Sequence, residues 1–238
     1  MKAMLYGIRV QLKMDIRSKT LFVTCYVVPL LFFAIMGGIF TSLMPETKHT
    51  LIQSITVMGV SMGALIGVPP SMVEVYGTDI KKMYMANGMP LCFGLITLAV
   101  SAFIHLMMMS IIIFALAPII FHATIPSTIP LYFSTLALFI VVTLSISCVL
   151  GLAVKNQAKL TMYSQVVFLP SIMLSGIMFP AELLPNFLKN MGKLFPATWG
   201  YILLIQKNID IYTFIPLVII LIISIFASMQ CLKKIRTV

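Results

Sequence analysis

Gly59-Val60-Ser61-Met62-Gly63 spells GxSxG, the spacing that presents a nucleophilic serine in soluble hydrolases, and His105 is the one ionisable residue deep inside an apolar run. A serine activated by a histidine base would perform acyl transfer. That chemistry needs the serine on a sharp strand-to-helix turn, whereas Ser61 lies within the apolar run 50–73. Gly67 continues the four-residue spacing of Gly59 and Gly63, and a stripe of small residues on one helix face is what close helix packing in lipid requires. The glycines are therefore assigned to packing, as is the Ser147 to Gly151 repeat, and intramembrane hydrolysis through Ser61 is the weakest functional reading. His105 remains a functional candidate because ionisable groups in a membrane rarely lack a role. A neutral imidazole bonded to a neighbouring helix is its expected state.

Energy coupling is the next chemistry to look for. Carriers driven by protons or sodium place carboxylates at the midplane, but Asp15, Glu46, Glu74, Asp79, Glu182 and Asp210 all fall outside the apolar runs. An ion-coupled secondary transporter using His105 is the alternative reading that this pattern disfavours. Nucleotide hydrolysis needs GxxxxGK[ST], and the Gly192-Lys193 pair has Phe187 where the first glycine belongs. No cofactor is expected in the chain. Nor do Cys25, Cys92, Cys148 and Cys231 suggest a metal site or disulfide frame, since they fall in different runs without CxxC spacing.

The elements that carry these residues follow from composition. Hydrophobic residues make up 61% of the chain and charged residues 9%, a balance that belongs in a bilayer. About 20 mostly apolar residues cross a hydrocarbon core. Six runs qualify: 20–43, 50–73, 91–118, 129–154, 160–180 and 213–232. The expectation is an all-α integral membrane protein, one transmembrane domain over residues 1–238. The first apolar run is too long for a cleaved signal, so it reads as a retained span.

Basic residues set the orientation, because loops rich in Lys and Arg stay cytoplasmic. Of the 16 Lys and Arg, 12 fall in the N-terminal segment, the second and fourth loops and the tail. Only Lys48, Lys189, Lys193 and Lys207 lie on the other side, giving net charges of +9 and +1. Both termini are expected in the cytoplasm, and the total of +10 reads as topology. No room is left for a basic nucleic-acid-binding face.

Two stretches outside the runs have their own pattern. Met1, Met4, Leu5, Ile8, Leu12 and Ile16 recur at helical spacing beside Lys2, Arg9, Lys13 and Arg17, as in a helix lying at the bilayer interface. The loop from Glu74 to Pro90 contains Gly77-Thr78-Asp79 before Ile80-Lys81-Lys82-Met83-Tyr84 and Asn87-Gly88 after it. Thr78 can cap a short helix there, Asp79 suits its first turn, and Asn87-Gly88 with Pro90 would stop it. Toward the C-terminus, Leu169-Pro-Ser-Ile-Met-Leu-Ser-Gly-Ile-Met-Phe-Pro180, Ala181-Glu-Leu-Leu-Pro185 and Leu194-Phe-Pro-Ala-Thr-Trp199 describe an apolar helix that breaks at prolines and dips back before a last span.

Together these stretches resemble the type-2 ABC exporter (ABC-2 type) permease family. The resemblance covers nearly the whole chain: the 1–17 segment as elbow helix, six spans, Glu74, Gly77, Thr78, Lys81 and Pro90 in a coupling loop, and the proline-broken fifth span with its re-entrant Pro-Ala-Thr-Trp return. It implies a non-catalytic transport subunit in a bacterial plasma membrane. A second permease copy or homologue would complete the path, and partner ATPase subunits would bind ATP and Mg. It also implies Gly77, Thr78, Ile80, Lys81, Met83 and Tyr84 as the ATPase contact, and Ser61, Ser171, Ser175 and Phe179 as lining of the substrate path. The Met, Leu, Ile and Phe of the second and fifth spans suit an amphiphilic drug, antimicrobial peptide or lipid.

The charge asymmetry predicts where reporter fusions end up. Fusions after Lys82, Lys159 and Lys234 report cytoplasm, and fusions near Lys48 and Lys193 report the opposite side; a cytoplasmic signal at Lys193 contradicts the six-span arrangement.

Overall fold

Apolar runs in a solvent without hydrogen-bonding partners must satisfy their own backbone, and helices do so within one segment. The computed structural model describes residues 2–178, 183–206 and 210–236, and no strand occurs among them. Helix α1 is Lys2–Arg17. A single turn, Lys19–Phe22, leads into α2, Val23–Leu43. Then follow α3 (Leu51–Tyr76), the short α4 (Ile80–Ala86), α5 (Cys92–Phe121) and α6 (Ile129–Ala153). Helices α7 (Gln157–Met173), α8 (Asn186–Gly192), α9 (Pro196–Ile205) and α10 (Ile211–Arg236) complete the described chain.

Helix boundaries follow local chemistry. Asn156 caps α7 by accepting from the N–H groups of Ala158 and Lys159 at 3.0 and 3.1 Å, and prolines open α6 and α9 where no N–H is needed. Helix α5 stops at His122, which adopts a left-handed φ of 53°.

Five helices among the described residues are long and apolar enough to cross a membrane: α2, α3, α5, α6 and α10. The run expected as a fifth span, 160–180, does not form one continuous helix. Its helix α7 has 17 residues, about 26 Å at 1.5 Å per residue, against a core of about 30 Å. Pro170 sits inside α7 without ending it. The stop comes at Leu174, whose N–H closes on Pro170 O, and at Gly176, whose φ of +84° few other residues adopt.

Helix α3 is the centre of the bundle. Gly59, Gly63 and Gly67 let neighbours reach its backbone: a methyl added at Gly63 would lie 2.4 Å from Leu106 of α5, and one at Gly67 2.7 Å from Thr24 of α2. On another face Gly151 of α6 meets Met72, where an added methyl would lie 2.7 Å from its Cβ. Two π turns, Val23–Val27 in α2 and Gly63–Gly67 in α3, face one another. Each precedes prolines (Pro29; Pro69 and Pro70) that supply no N–H to the carbonyls four residues earlier, and a widened turn accommodates that loss.

Helix α1 packs along α5. Met4, Ile8 and Leu12 turn toward the bundle, whereas Leu5 and Ile16, expected on the same face, are exposed; Met1 lies outside the described residues. The register is set by Asp15, only 4% exposed, which accepts a hydrogen bond from Ser101 Oγ of α5 and another from Gln11 Nε2 at 2.7 Å. Asp15 lies outside the spans in sequence, yet its carboxylate is buried against one.

Candidate functional site

The loop between α3 and α5 is closed by a single strong contact. Tyr76, buried at the end of α3, donates its hydroxyl to Leu91 O at 2.6 Å, so the loop's two ends are held together. Thr78 Oγ1 donates to Glu74 O at 2.6 Å and accepts a long bond from Ile80 N–H at 3.4 Å. Thr78 thus bridges the two helices, while Asp79 occupies the cap position of α4 without a side-chain cap. Its carboxylate instead meets Lys82 Nζ at 2.7 Å. That hydrogen bond and charge hold Asp79 below the usual carboxylate range. Any stability the pair supplies is complete above that range and is lost as pH falls through the lowered value.

The far end of α4 is a Schellman stop. Gly88 takes φ +67°, Met89 N–H bonds to Tyr84 O at 2.9 Å, and Gly88 N–H to Met85 O at 3.1 Å. Asn87 Nδ2 adds a bond to Met83 O at 2.8 Å. The stop signals Asn87-Gly88 therefore act where the sequence placed them.

Of the three large apolar residues named for the ATPase contact, Ile80, Met83 and Tyr84, two are exposed. Ile80 and Met83 are 40% and 64% exposed, and Lys81 is half-buried. Tyr84 is half-buried too, its ring edge-on to Phe93 at 6.4 Å. Gly94 makes room for it, since a methyl there would lie 3.0 Å from the Tyr84 ring. Met85 takes its place among the exposed apolar residues. Nothing in the spacing of Ile80, Met83 and Tyr84 foretells this, because the partner that claims Tyr84 comes from the next helix.

At the opposite end of the bundle the proline-broken segment folds back on itself. Gly192 of α8 approaches the end of α7 so closely that a methyl there would lie 2.4 Å from Leu174 O. Thr198 Oγ1 donates to Gly192 O at 2.6 Å and Trp199 Nε1 to Lys193 O at 2.7 Å, fixing the turn between α8 and α9. Behind it, Gly200 lies against the Phe139 ring of α6.

Of the four residues assigned to a substrate path, Ser61, Ser171 and Ser175 fall among the described residues. Ser175 is buried, donates to Ile172 O at 2.7 Å, and lines a 440 Å³ cavity between the ends of α2, α3 and α7 and the α8–α9 turn. Ser61 and Ser171 are fully buried, and neither hydroxyl finds a hydrogen-bond partner. Phe179 lies outside the described residues. His105 pairs through Nδ1 with the Tyr26 hydroxyl of α2 at 2.8 Å, and no hydrogen bond joins it to Ser61. The structure therefore does not assemble the serine and base that a hydrolase needs.

Two groups that the sequence reading passed over are part of the polar framework: the Asp15 and Ser101 pair, and Tyr76. Asp15 had a signal, since it falls at i+7 from Ile8 and i+3 from Leu12 on the packed side of α1. Among the described residues, no three His, Cys, Asp or Glu side chains converge on a metal-sized site.

Long apolar helices wrapped around a small-residue centre, with a short connecting helix at one end and a folded-back segment at the other, define a multi-pass membrane protein. The family model for the ABC-2 type transporter matches residues 5–209, so the chain belongs to that family and is an ABC transporter permease. No curated protein and no solved structure gives a significant match.

The Tyr76 contact generates a prediction. Tyr76→Phe removes one hydrogen bond of roughly 0.5–1.5 kcal/mol, and amide exchange across 80–90 in nanodiscs accelerates about two- to tenfold while exchange in α6 stays unchanged. Unaltered exchange in the loop contradicts the closing role.

Proposed function

We propose that this chain is the membrane subunit of an ATP-driven exporter in a bacterial plasma membrane, with both termini cytoplasmic. In this reading α1 is the interfacial elbow helix, α7 is the fifth of six crossings, shortened at its outer end, and α8 with α9 is the re-entrant return. Helix α4 is the element that docks on a cytoplasmic ATPase, which binds ATP and Mg. A second copy or a homologous permease completes the path, and the cargo is an amphiphile: a drug, an antimicrobial peptide or a lipid. Ser61, Ser171, Ser175 and Phe179 are the candidates to line that path once two permeases meet.

The observation that carries the reading is the exposed Ile80 and Met83 pair on a helix fixed at both ends, in a chain of the ABC-2 family. Large apolar side chains held in water on a rigid support are what a protein groove buries, and a few such anchors carry most of an interface's energy. Gly77, Thr78 and Tyr84 support the anchors from behind. Lys81 supplies a rim charge, worth roughly 0–1 kcal/mol.

Co-expression with the ATP-binding subunit tests the assignment. Ile80→Asp and Met83→Asp each reduce capture of the ATPase by about tenfold or more, at unchanged membrane levels of this chain, and Lys81→Ala reduces it by about fivefold or less. Undiminished capture by both aspartate variants places the contact elsewhere.

A further inference from the structure

The 440 Å³ cavity falls within the usual range of ligand pockets, about 300–1,000 Å³, and its wall has two chemistries. Phe40 and Met44 at the end of α2, together with Ile202 of α9, give it an apolar interior. Lys189 and Lys193, both exposed, stand at its rim. No carboxylate is among the described residues that line it. Lys193 Nζ donates one hydrogen bond, to Asn190 Oδ1 at 3.2 Å, which leaves other donors of its ammonium for a ligand. The two lysines are one helical turn apart on α8 and the stretch just after it, so their ammonium groups can converge on one anion.

The helix that supplies part of the wall also carries apolar residues outside the cavity. Ile35, Ile39 and Leu43, on the helix that supplies Phe40 and Met44, are exposed, as expected of side chains that meet acyl chains. A ligand reaching the cavity from the bilayer arrives with its chain beside these residues and its headgroup at the end of the bundle, where the lysines are. Apolar depth and cationic rim thus match one molecule at both of its ends.

We propose that this cavity binds an anionic phospholipid, with an acyl chain against Phe40, Met44 and Ile202 and its phosphate between Lys189 and Lys193. This goes beyond the transport reading, because binding is asserted whether or not the lipid is cargo. Lysines near a membrane surface favour anionic headgroups; two of them acting together produce about a tenfold preference for an anionic over a zwitterionic lipid.

Trp199 supplies the readout. It is the only tryptophan in the chain and it lines this cavity, so quenching of its fluorescence by brominated acyl chains reports lipid at this cavity, and the lysine variants separate bound lipid from lipid that merely passes beside it. The intact chain is reconstituted in phosphatidylcholine nanodiscs, and brominated phosphatidylglycerol or brominated phosphatidylcholine is titrated in. Half-maximal quenching comes at an about tenfold lower mole fraction of the phosphatidylglycerol. The double variant Lys189→Gln, Lys193→Gln loses that preference, whereas Lys155→Gln, a lysine outside the cavity lining, keeps it. Both lysines are exposed, so the fold does not depend on them; equal quenching of the unaltered protein by the two lipids overturns the proposal. So does a preference that survives the double substitution. Failure of ATPase capture by the aspartate variants would bear on α4 alone and leave this measurement untouched.

Discussion

Everything in this bundle depends on the burial of α3 by other helices. Of its most apolar stretch 89% is buried, against 22% for α2 and for α10. Lipid is as apolar as leucine, so a helix gains little by leaving it for a protein interior unless the fit is close or polar groups are satisfied. Gly59, Gly63 and Gly67 provide the fit by bringing α2 and α5 against the α3 backbone. Thr56 provides the second term, accepting from Tyr132 of α6 at 3.0 Å, as does Ser54, which donates to Tyr201 of α9 at 3.2 Å. The outer helices α2 and α10 keep most of their surface for lipid.

One consequence is that the two ends of the molecule are joined by one helix, α3. The residue that closes the α4 loop, Tyr76, is the last of α3, and residues near its first turn, Leu51 and Ser54, wall the cavity beside the α8–α9 turn. The π turn at Gly63–Gly67 lies between them, against the π turn of α2. Under the proposed function, a displacement of α4 passed through residues 77–79 would reach the opposite end along α3 alone. π turns often mark functional positions, and here the pair sits midway between the loop and the cavity.

Much of the helix order was legible because composition and period depend on the local chain alone. Apolar runs of about 20 residues marked α2, α3, α5, α6 and α10 to within a few residues, and Asn87-Gly88 marked the end of α4. The shortness of α7 was not legible, since Pro170 is the obvious breaker in sequence, whereas the actual stop lies at Leu174 and Gly176. The burial of Tyr84 and Asp15 was not legible for another reason. Each is drawn out of water by a residue of α5, Phe93 and Ser101 respectively, and no local pattern encodes a partner far along the chain. The path serines illustrate the same limit: Ser61 and Ser171 read alike in sequence to Ser175, but of the three Ser175 is the one that lines the 440 Å³ cavity.

The central claim is that α4 is the surface on which an energy-supplying partner acts. Its most direct test is a photo-crosslinking amino acid placed at position 83 in cells that make the assembled transporter, with a second placed at position 194 beyond α8. The account predicts an adduct between position 83 and the ATP-binding subunit, and none from position 194. An ATPase adduct at 194, or none at 83 while the two chains co-purify, would contradict it.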